Sequence, residues 1–370
     1  MKGGANIWKL ILRLAICALL LCWIFDSIFR REGRSAVEAQ GKEWSQLSWT
    51  EQSHAAWTHG PPILSHSLAQ IPAGHLLGSF ALVGLTVLIG ALRWQMVLRV
   101  QGLDLPPART AKISFVAQFF NSFLLGSTGG DLLKAYYAAR ETHHRKTEAV
   151  TTVFVDRLIG LGSMLVFACV MMLPNLALIR EHESLAAVAG GVLVMMLGCV
   201  TVLGLAFWGG LSHLWPGARA ALRRLPKGGH LERSLDACRQ FGRNPWFLLK
   251  AFLLSMAINF ICVLQGVVLC AGLHAAVTFT ALLVIVPIII CISALPITPS
   301  GLGVRENLFV LMLAVPEINV DPTKALSLSL LTFAGGLVWS VVGGFVYVAM
   351  RDREHLSEVT GDAANNSPAA

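Results

Sequence analysis

The chain is a series of long apolar segments separated by short polar ones. Six apolar segments are long enough to cross the roughly 30 Å hydrocarbon layer of a membrane as helices. They are predicted near residues 7–29, 73–97, 161–178, 186–208, 246–273 and 324–350. The pattern therefore predicts an all-α, polytopic helical membrane protein.

Two further apolar segments break before they reach spanning length. The first break is at Gly126–Asp131 and the second lies within Ala294–Asn307. Proline stops a smooth helix and glycine lets the backbone reverse direction. The residues predicted to shape the breaks are Gly129, Gly130, Pro296, Pro299, Gly301 and Gly303. At membrane depth such a break is tolerated only where it is buried in protein or lines a wet cavity.

The charges around the broken segments predict two re-entrant hairpins that enter from opposite faces. Basic residues flank the first hairpin and put both its ends in the cytoplasm, whereas Glu317 and Asp321 follow the second. Opposite-facing broken segments in two halves of a chain indicate an inverted repeat with a binding site at its interface. The alternatives are pairs of tilted short spans and, for Ala294–Asn307, a surface loop.

Composition limits the class of protein. With 55% hydrophobic and 14% charged residues the chain is too apolar for a soluble domain. A formal charge of +8 could suggest nucleic acid, but the basic residues gather between the spans, as the positive-inside rule requires. We expect no nucleic-acid partner, a place in the inner (plasma) membrane and cytoplasmic termini. The eight cysteines show no metal spacing, so we predict neither metal nor cofactor.

The chain is predicted to have four parts. Residues 1–30 form the first span, because the apolar region is long for a signal peptide and no clear cleavage site follows. Residues 31–71 form an extracytoplasmic interfacial segment, expected to be a partly ordered loop held at the headgroups by tryptophans. Residues 72–351 form the membrane domain, and residues 352–370 a disordered cytoplasmic tail.

The charged residues near the breaks are candidates for binding an anion. A restarted helix presents unpaired amides and a positive end, and ionisable residues at membrane depth mark functional sites. Arg305 and Lys134 are predicted to contact a phosphate, and Asp131 and Glu306 to cap helices and pair with them. All would share one polar groove between the hairpins, with an anionic lipid headgroup as ligand.

A second group of charges lies at the start of a span. Asp156 and Arg157 are predicted to form an ion pair at the membrane interface. For Arg93 the simplest explanation is a side chain that extends to the interface.

Several motifs resemble the transmembrane region of lysylphosphatidylglycerol synthases, a family also described as flippase-like. The motifs are Arg93 with Trp94, FFNSFLLGSTGGDLLKAYY, VFVDRLIGL and LPITPSGLGVREN. The resemblance covers about 73–350, and the family usually has proline at the position of Gly126 and often arginine at that of Lys134. Asn121 and Arg93 lie in these motifs and complete the predicted lipid-headgroup set.

The resemblance implies lipid handling. Bifunctional members couple this region to a soluble domain that transfers lysine from its transfer RNA to phosphatidylglycerol, and the membrane part then moves the product across the bilayer. Stand-alone relatives resemble handlers of polyprenyl-phosphate-linked sugars. We therefore expect translocation of an anionic lipid. The alternatives are a membrane transferase with Asp131 or Glu306 as general base, and an anchor for a separate soluble transferase docked on the basic segment 233–243.

Overall fold

The computed structural model describes residues 43–123, 129–141, 146–207, 244–295 and 303–365, together with residues 26, 29, 30, 33, 34, 36–38, 241, 242 and 301. In this part of the chain every regular element is a helix. The helices are α1 (Trp49–Ala69), α2 (Ala73–Val100), α3 (Pro107–Phe123), α4 (Gly129–Glu141), α5 (Lys146–Met172), α6 (Leu176–Glu181), α7 (Glu183–Phe207), α8 (Pro245–Gly272), α9 (Phe279–Ser293), α10 (Val304–Leu313) and α11 (Pro322–Asn365).

The helices confirm a polytopic helical membrane protein. Among the described residues, four stretches are long and apolar enough to cross a membrane, namely Ala73–Val100, Thr147–Asn175, Pro245–Gly272 and Pro322–Met350. Leu185–Thr201 and Phe279–Ser293 are shorter apolar helices. The predicted first span, 7–29, lies almost wholly outside the described residues.

The helix α5 begins earlier than its apolar content indicates. The predicted span starts near residue 161, whereas the helix starts at Lys146. Asp156 therefore lies ten residues, or about 15 Å, inside a helix rather than at its end. The sequence pattern did not reveal this because the residues that pair with Asp156 and Arg157 lie on other helices, as described below.

The segment 31–71 was expected to be a partly ordered loop, but the structure places a helix, α1, within it. Its start is a reciprocal capping box: Glu51 N–H donates to Ser48 Oγ at 3.4 Å, and Ser48 N–H donates to Glu51 Oε2 at 2.8 Å. The S-x-x-E signature of this cap is visible in the sequence. The capping box gives the physical reason for the difference.

Both broken segments have helices on either side of the break that pack against each other, α3 with α4 and α9 with α10. Gly301 and Gly303 have positive φ angles of 70° and 84°, a conformation that glycine adopts without steric cost. Pro296 and Pro299 lie outside the described residues. The re-entrant course of the hairpins and the inverted repeat stay predictions.

The helix α11 continues to Asn365, although residues 352–370 were expected to be disordered. No proline follows Met350 before Asn365, so nothing in this stretch removes a helical hydrogen bond. A chain already helical at Met350 can extend at the low cost of propagation.

The described apolar residues form two cores that meet in the middle of α5 and α8. One contains the end of α2 with parts of α3 and α4, and reaches Ile159 on α5 and Ala251 on α8. The other begins at Leu161 on α5 and Met256 on α8, and includes α9, α10 and the start of α11. Polar side chains at this boundary form the candidate site.

Candidate functional site

Arg93 on α2 joins three helices at the boundary between the cores. Its Nε donates to Asp156 Oδ1 at 2.8 Å, and its Nη1 donates to Ser255 Oγ at 2.8 Å. Nη2 donates to the backbone oxygen of Asp156 at 3.3 Å. The guanidinium is thus buried within the bundle, and Arg93 does not simply extend to an interface.

Small residues make room for this contact. A Cβ on Gly160 would lie 3.1 Å from Arg93 Nη1, so the absence of a side chain one turn after Asp156 admits the guanidinium. Ser255 donates its own hydrogen to Ala251 O at 2.8 Å. This orientation leaves the oxygen of Ser255 free to accept from Arg93.

Lys134 on α4 approaches the same carboxylate less closely. Its Nζ lies 3.8 Å from Asp156 Oδ2 and 4.9 Å from the ring centre of Trp94. The lysine side chain is only 15% exposed. Among the described residues Asp156 therefore pairs with two cations, Arg93 and Lys134, of which only Arg93 donates a hydrogen bond to it.

Asp131 pairs with Arg157. Arg157 Nε lies 2.6 Å from Asp131 Oδ2, and Nη2 donates to Oδ1 at 2.9 Å, which is the two-pronged geometry that favours arginine. The predicted ion pair between Asp156 and Arg157 is therefore wrong. Consecutive helical residues point about 100° apart, and each of these two side chains reaches a different helix.

Asn121 and Gly130 hold α3 against α4. Gly130 N–H donates to Asn121 Oδ1 at 2.8 Å, and a Cβ on Gly130 would lie 2.0 Å from Ala117 O. Only glycine fits so close a contact. Gly129 is the first described residue of α4, and its role in shaping the break stays a prediction.

These side chains line a cavity of about 630 Å³, whose described lining comes from α2, α3, α4, α5, α8 and α9. Of the predicted headgroup residues, the cavity lining includes Arg93, Asn121, Asp131 and Lys134. It also includes both members of the predicted interfacial pair, Asp156 and Arg157. The cavity thus unites residues from distant parts of the sequence.

Several polar residues of the lining were missed from the sequence, among them Ser114, Ser255 and Asn259. Ser255 and Asn259 lie one helical turn apart on α8 and are buried. The Ser114 hydroxyl on α3 is buried without a hydrogen-bond partner among the described residues. The i, i+4 spacing of Ser255 and Asn259 inside an apolar span was the available signal. Among the described residues, no three His, Cys, Asp or Glu side chains are grouped to hold a metal.

Arg305 and Glu306 form a separate cluster on α10. Arg305 Nη2 lies 2.5 Å from Glu306 Oε1, and its Nε donates to Ser329 Oγ at 3.1 Å. Glu306 Oε2 accepts from Gly303 N–H at 2.6 Å, and the guanidinium lies 4.7 Å from the Phe333 ring centre. Arg305 does pair with Glu306, but neither residue is part of the described cavity lining. In place of the single groove expected from the sequence, the described residues therefore form two separate polar clusters.

Comparison with known proteins identifies the family. The lysylphosphatidylglycerol synthase TM region matches residues 55–344. The UPF0104 membrane protein PH1989 of Pyrococcus horikoshii is 25% identical over 267 aligned residues, which cover 67% of this chain and 78% of that relative. Because the family match spans most of the chain, the protein belongs to the family of the lysylphosphatidylglycerol synthase transmembrane region.

Proposed function

We propose that the protein binds the phosphate-bearing headgroup of an anionic lipid in the cavity and carries that lipid between the two leaflets. The lipid is a phospholipid or a polyprenyl-phosphate-linked compound, since both join a phosphate to long apolar tails. In this proposal the protein lies in the inner (plasma) membrane with both termini in the cytoplasm. The family relates the chain to lipid metabolism, which supports a lipid ligand.

The observation that carries the proposal is the incomplete pairing of Lys134. Among the described residues its ammonium makes no hydrogen bond, because Asp156 is 3.8 Å away and the other neighbour is an aromatic ring. A buried ammonium has lost water, and that cost is offset only by ionic or hydrogen-bonding partners. A phosphate oxygen in the cavity would accept charge-assisted hydrogen bonds from it.

The charge balance of the cavity also favours an anion. Among the described residues, its lining contains three bases, Arg93, Lys134 and Arg157, and two acids, Asp131 and Asp156. With all five ionised, one positive charge is left over. The Arg157 side chain is 48% exposed, so its pair with Asp131 lies where a phosphate can compete for the guanidinium.

Apolar side chains of the cavity suit the part of the lipid next to the headgroup. Val83 and Val87 on α2 and Leu161 on α5 belong to the lining. Phe154, also in the lining, is half-exposed. In the proposed mechanism the charged headgroup moves along the polar side chains while the tails stay in the surrounding hydrocarbon.

Occluding the cavity tests this function. Gly90 belongs to the lining, and a Cβ at that position meets nothing within 4 Å. Gly90→Trp therefore fills cavity space without a clash at its Cβ. Gly198→Trp on α7 is the matched control, because Gly198 is equally unobstructed and α7 contributes nothing to the described lining.

The assay uses purified protein in phosphatidylcholine vesicles that contain fluorescent phosphatidylglycerol or a fluorescent prenyl phosphate. Movement between leaflets is followed by bleaching the outer leaflet with dithionite. We expect protein-dependent movement of at least one probe with the native chain and Gly198→Trp, and a loss with Gly90→Trp. Equal rates in Gly90→Trp and the native chain, or no movement of either probe by the native chain, would overturn the proposal.

A further inference from the structure

A second basic site lies at the ends of α2 and α8, outside the cavity. It is a cleft of about 240 Å³, here named the basic cleft. It is lined by Met96, Arg99, Asn244, Trp246, Phe247 and Lys250. Two different helices therefore bring one cation each to the same small space.

The basic cleft and the cavity share no residue in their described linings. Arg99 follows Gly90 by nine residues, which is two and a half turns of helix. Arg99 therefore lies about 13.5 Å further along the helix axis than Gly90. A ligand in the basic cleft is separate from a ligand in the cavity.

Neither cation of the basic cleft has a counter-ion among the described residues. Arg99 and Lys250 are both exposed, and in the described part of the chain neither side chain has an ionic or hydrogen-bonding partner. Two like charges beside one cleft repel each other, so an anion placed between them gains from both. The nearby start of α8 adds the positive end of a helix dipole.

The apolar side chains around these cations fit a lipid. Trp246 is 70% exposed, and tryptophan is enriched at the boundary between membrane and water. Phe247 is buried and Met96 is half-buried, so the cleft has apolar walls as well as a cationic rim. A free anion needs only the cations, whereas a phospholipid uses both features.

We propose that the basic cleft binds the headgroup of an anionic phospholipid from the surrounding leaflet. Arg99 and Lys250 contact the phosphodiester, and Trp246 packs beside the glycerol and upper acyl carbons. This lipid stays bound at the outside of the bundle and is not the lipid proposed to move through the cavity.

The test is a titration of purified protein with phosphatidylglycerol, followed by native mass spectrometry. The double variant Arg99→Gln, Lys250→Gln removes both cations of the basic cleft. The control Lys112→Gln, Arg180→Gln removes the same charge from two exposed residues outside the basic cleft. We expect the double variant to retain one phosphatidylglycerol fewer, or to bind it about 5- to 30-fold more weakly, while the control matches the native chain.

Further probes separate the possible ligands and sites. Gly90→Trp is expected to keep the lipid of the basic cleft, which distinguishes this site from the cavity even if no transport is observed. Competition by inorganic phosphate or glycerophosphoglycerol as strong as by the intact lipid would overturn the assignment to a phospholipid. So would phosphatidylglycerol binding by the double variant that equals that of the native chain.

Discussion

Replacing Lys134 with methionine is the most direct test of how the cavity would hold a phosphate. Methionine keeps a long, flexible side chain beside the Trp94 ring and removes the charge. A hydrogen bond to a charged group contributes about 1.5 to 3 kcal/mol, and each 1.4 kcal/mol is about a tenfold change in affinity. We expect the affinity for an anionic lipid in the cavity to fall about 10- to 150-fold.

The same change is expected to leave the fold intact. Removing one member of a buried ion pair is costly when the other charge is left without a partner. Asp156 keeps its hydrogen bond from Arg93 at 2.8 Å, so its carboxylate stays paired in Lys134→Met. The lost contact, at 3.8 Å, is comparable to a weak ion pair. We therefore expect the free energy of unfolding to change by less than about 1 kcal/mol.

Both quantities can be measured on the same detergent-solubilised sample, binding with a fluorescent phosphatidylglycerol or prenyl phosphate and stability by thermal unfolding. The double variant Arg99→Gln, Lys250→Gln is the suitable background, because it removes the charges of the basic cleft. Lys112→Met controls for the loss of one positive charge at an exposed position. The reasoning is refuted if Lys134→Met unfolds like its parent and also binds both lipids with unchanged affinity.

Three further predictions concern stability and are checked by unfolding in detergent. Arg93→Gln removes the charged hydrogen bonds of a buried pair, and we expect the free energy of unfolding to fall by about 3 to 5 kcal/mol. An unchanged transition temperature would contradict the role of Arg93 as the junction of three helices. Gly130→Ala places a Cβ 2.0 Å from the backbone of α3 and is expected to lower the free energy of unfolding by about 1 to 3 kcal/mol. The control Gly198→Ala adds its Cβ in open space and should have little effect. Equal effects of the two substitutions would argue against the close contact. Glu306→Gln removes the charge opposite Arg305, with an expected loss of about 1 to 3 kcal/mol, and native-like stability would show that the cluster on α10 is dispensable.

The helices were largely predictable because length and apolar content decide where a chain can cross a membrane. The predicted span near 246–273 differs by one residue at each end from Pro245–Gly272. The helix α1 was missed because its tryptophans suggested an interfacial loop, although Ser48 and Glu51 form a helix-capping signal. The start of α5 was missed because two adjacent charged residues, Asp156 and Arg157, suggest the end of a membrane helix when their partners on other helices are unknown.

The members of the site could be predicted more easily than their pairing. Charged residues near glycine-rich breaks stand out in any apolar chain. Which of them meet depends on the rotation of each helix about its axis and on residues far away in sequence. Arg93 and Asp156 are 63 positions apart. From the sequence alone, the residues that can be placed beside Asp156 are those near it on the same helix. For the same reason one groove was predicted where there are two clusters.

The two clusters differ in how completely their charges are satisfied, and this difference assigns them different proposed roles. On α10, Glu306 accepts from the N–H of Gly303 and pairs with Arg305, which also donates to Ser329. A ligand would have to break these bonds before it gained any of its own. In the cavity, the ammonium of Lys134 has no hydrogen bond to exchange among the described residues, so a phosphate gains a contact without first displacing one. A closed network suits the role of holding a broken helix in place, and an open one suits the binding and release of a headgroup. Substitutions at Glu306 should therefore act mainly on stability, and substitutions at Lys134 mainly on lipid binding.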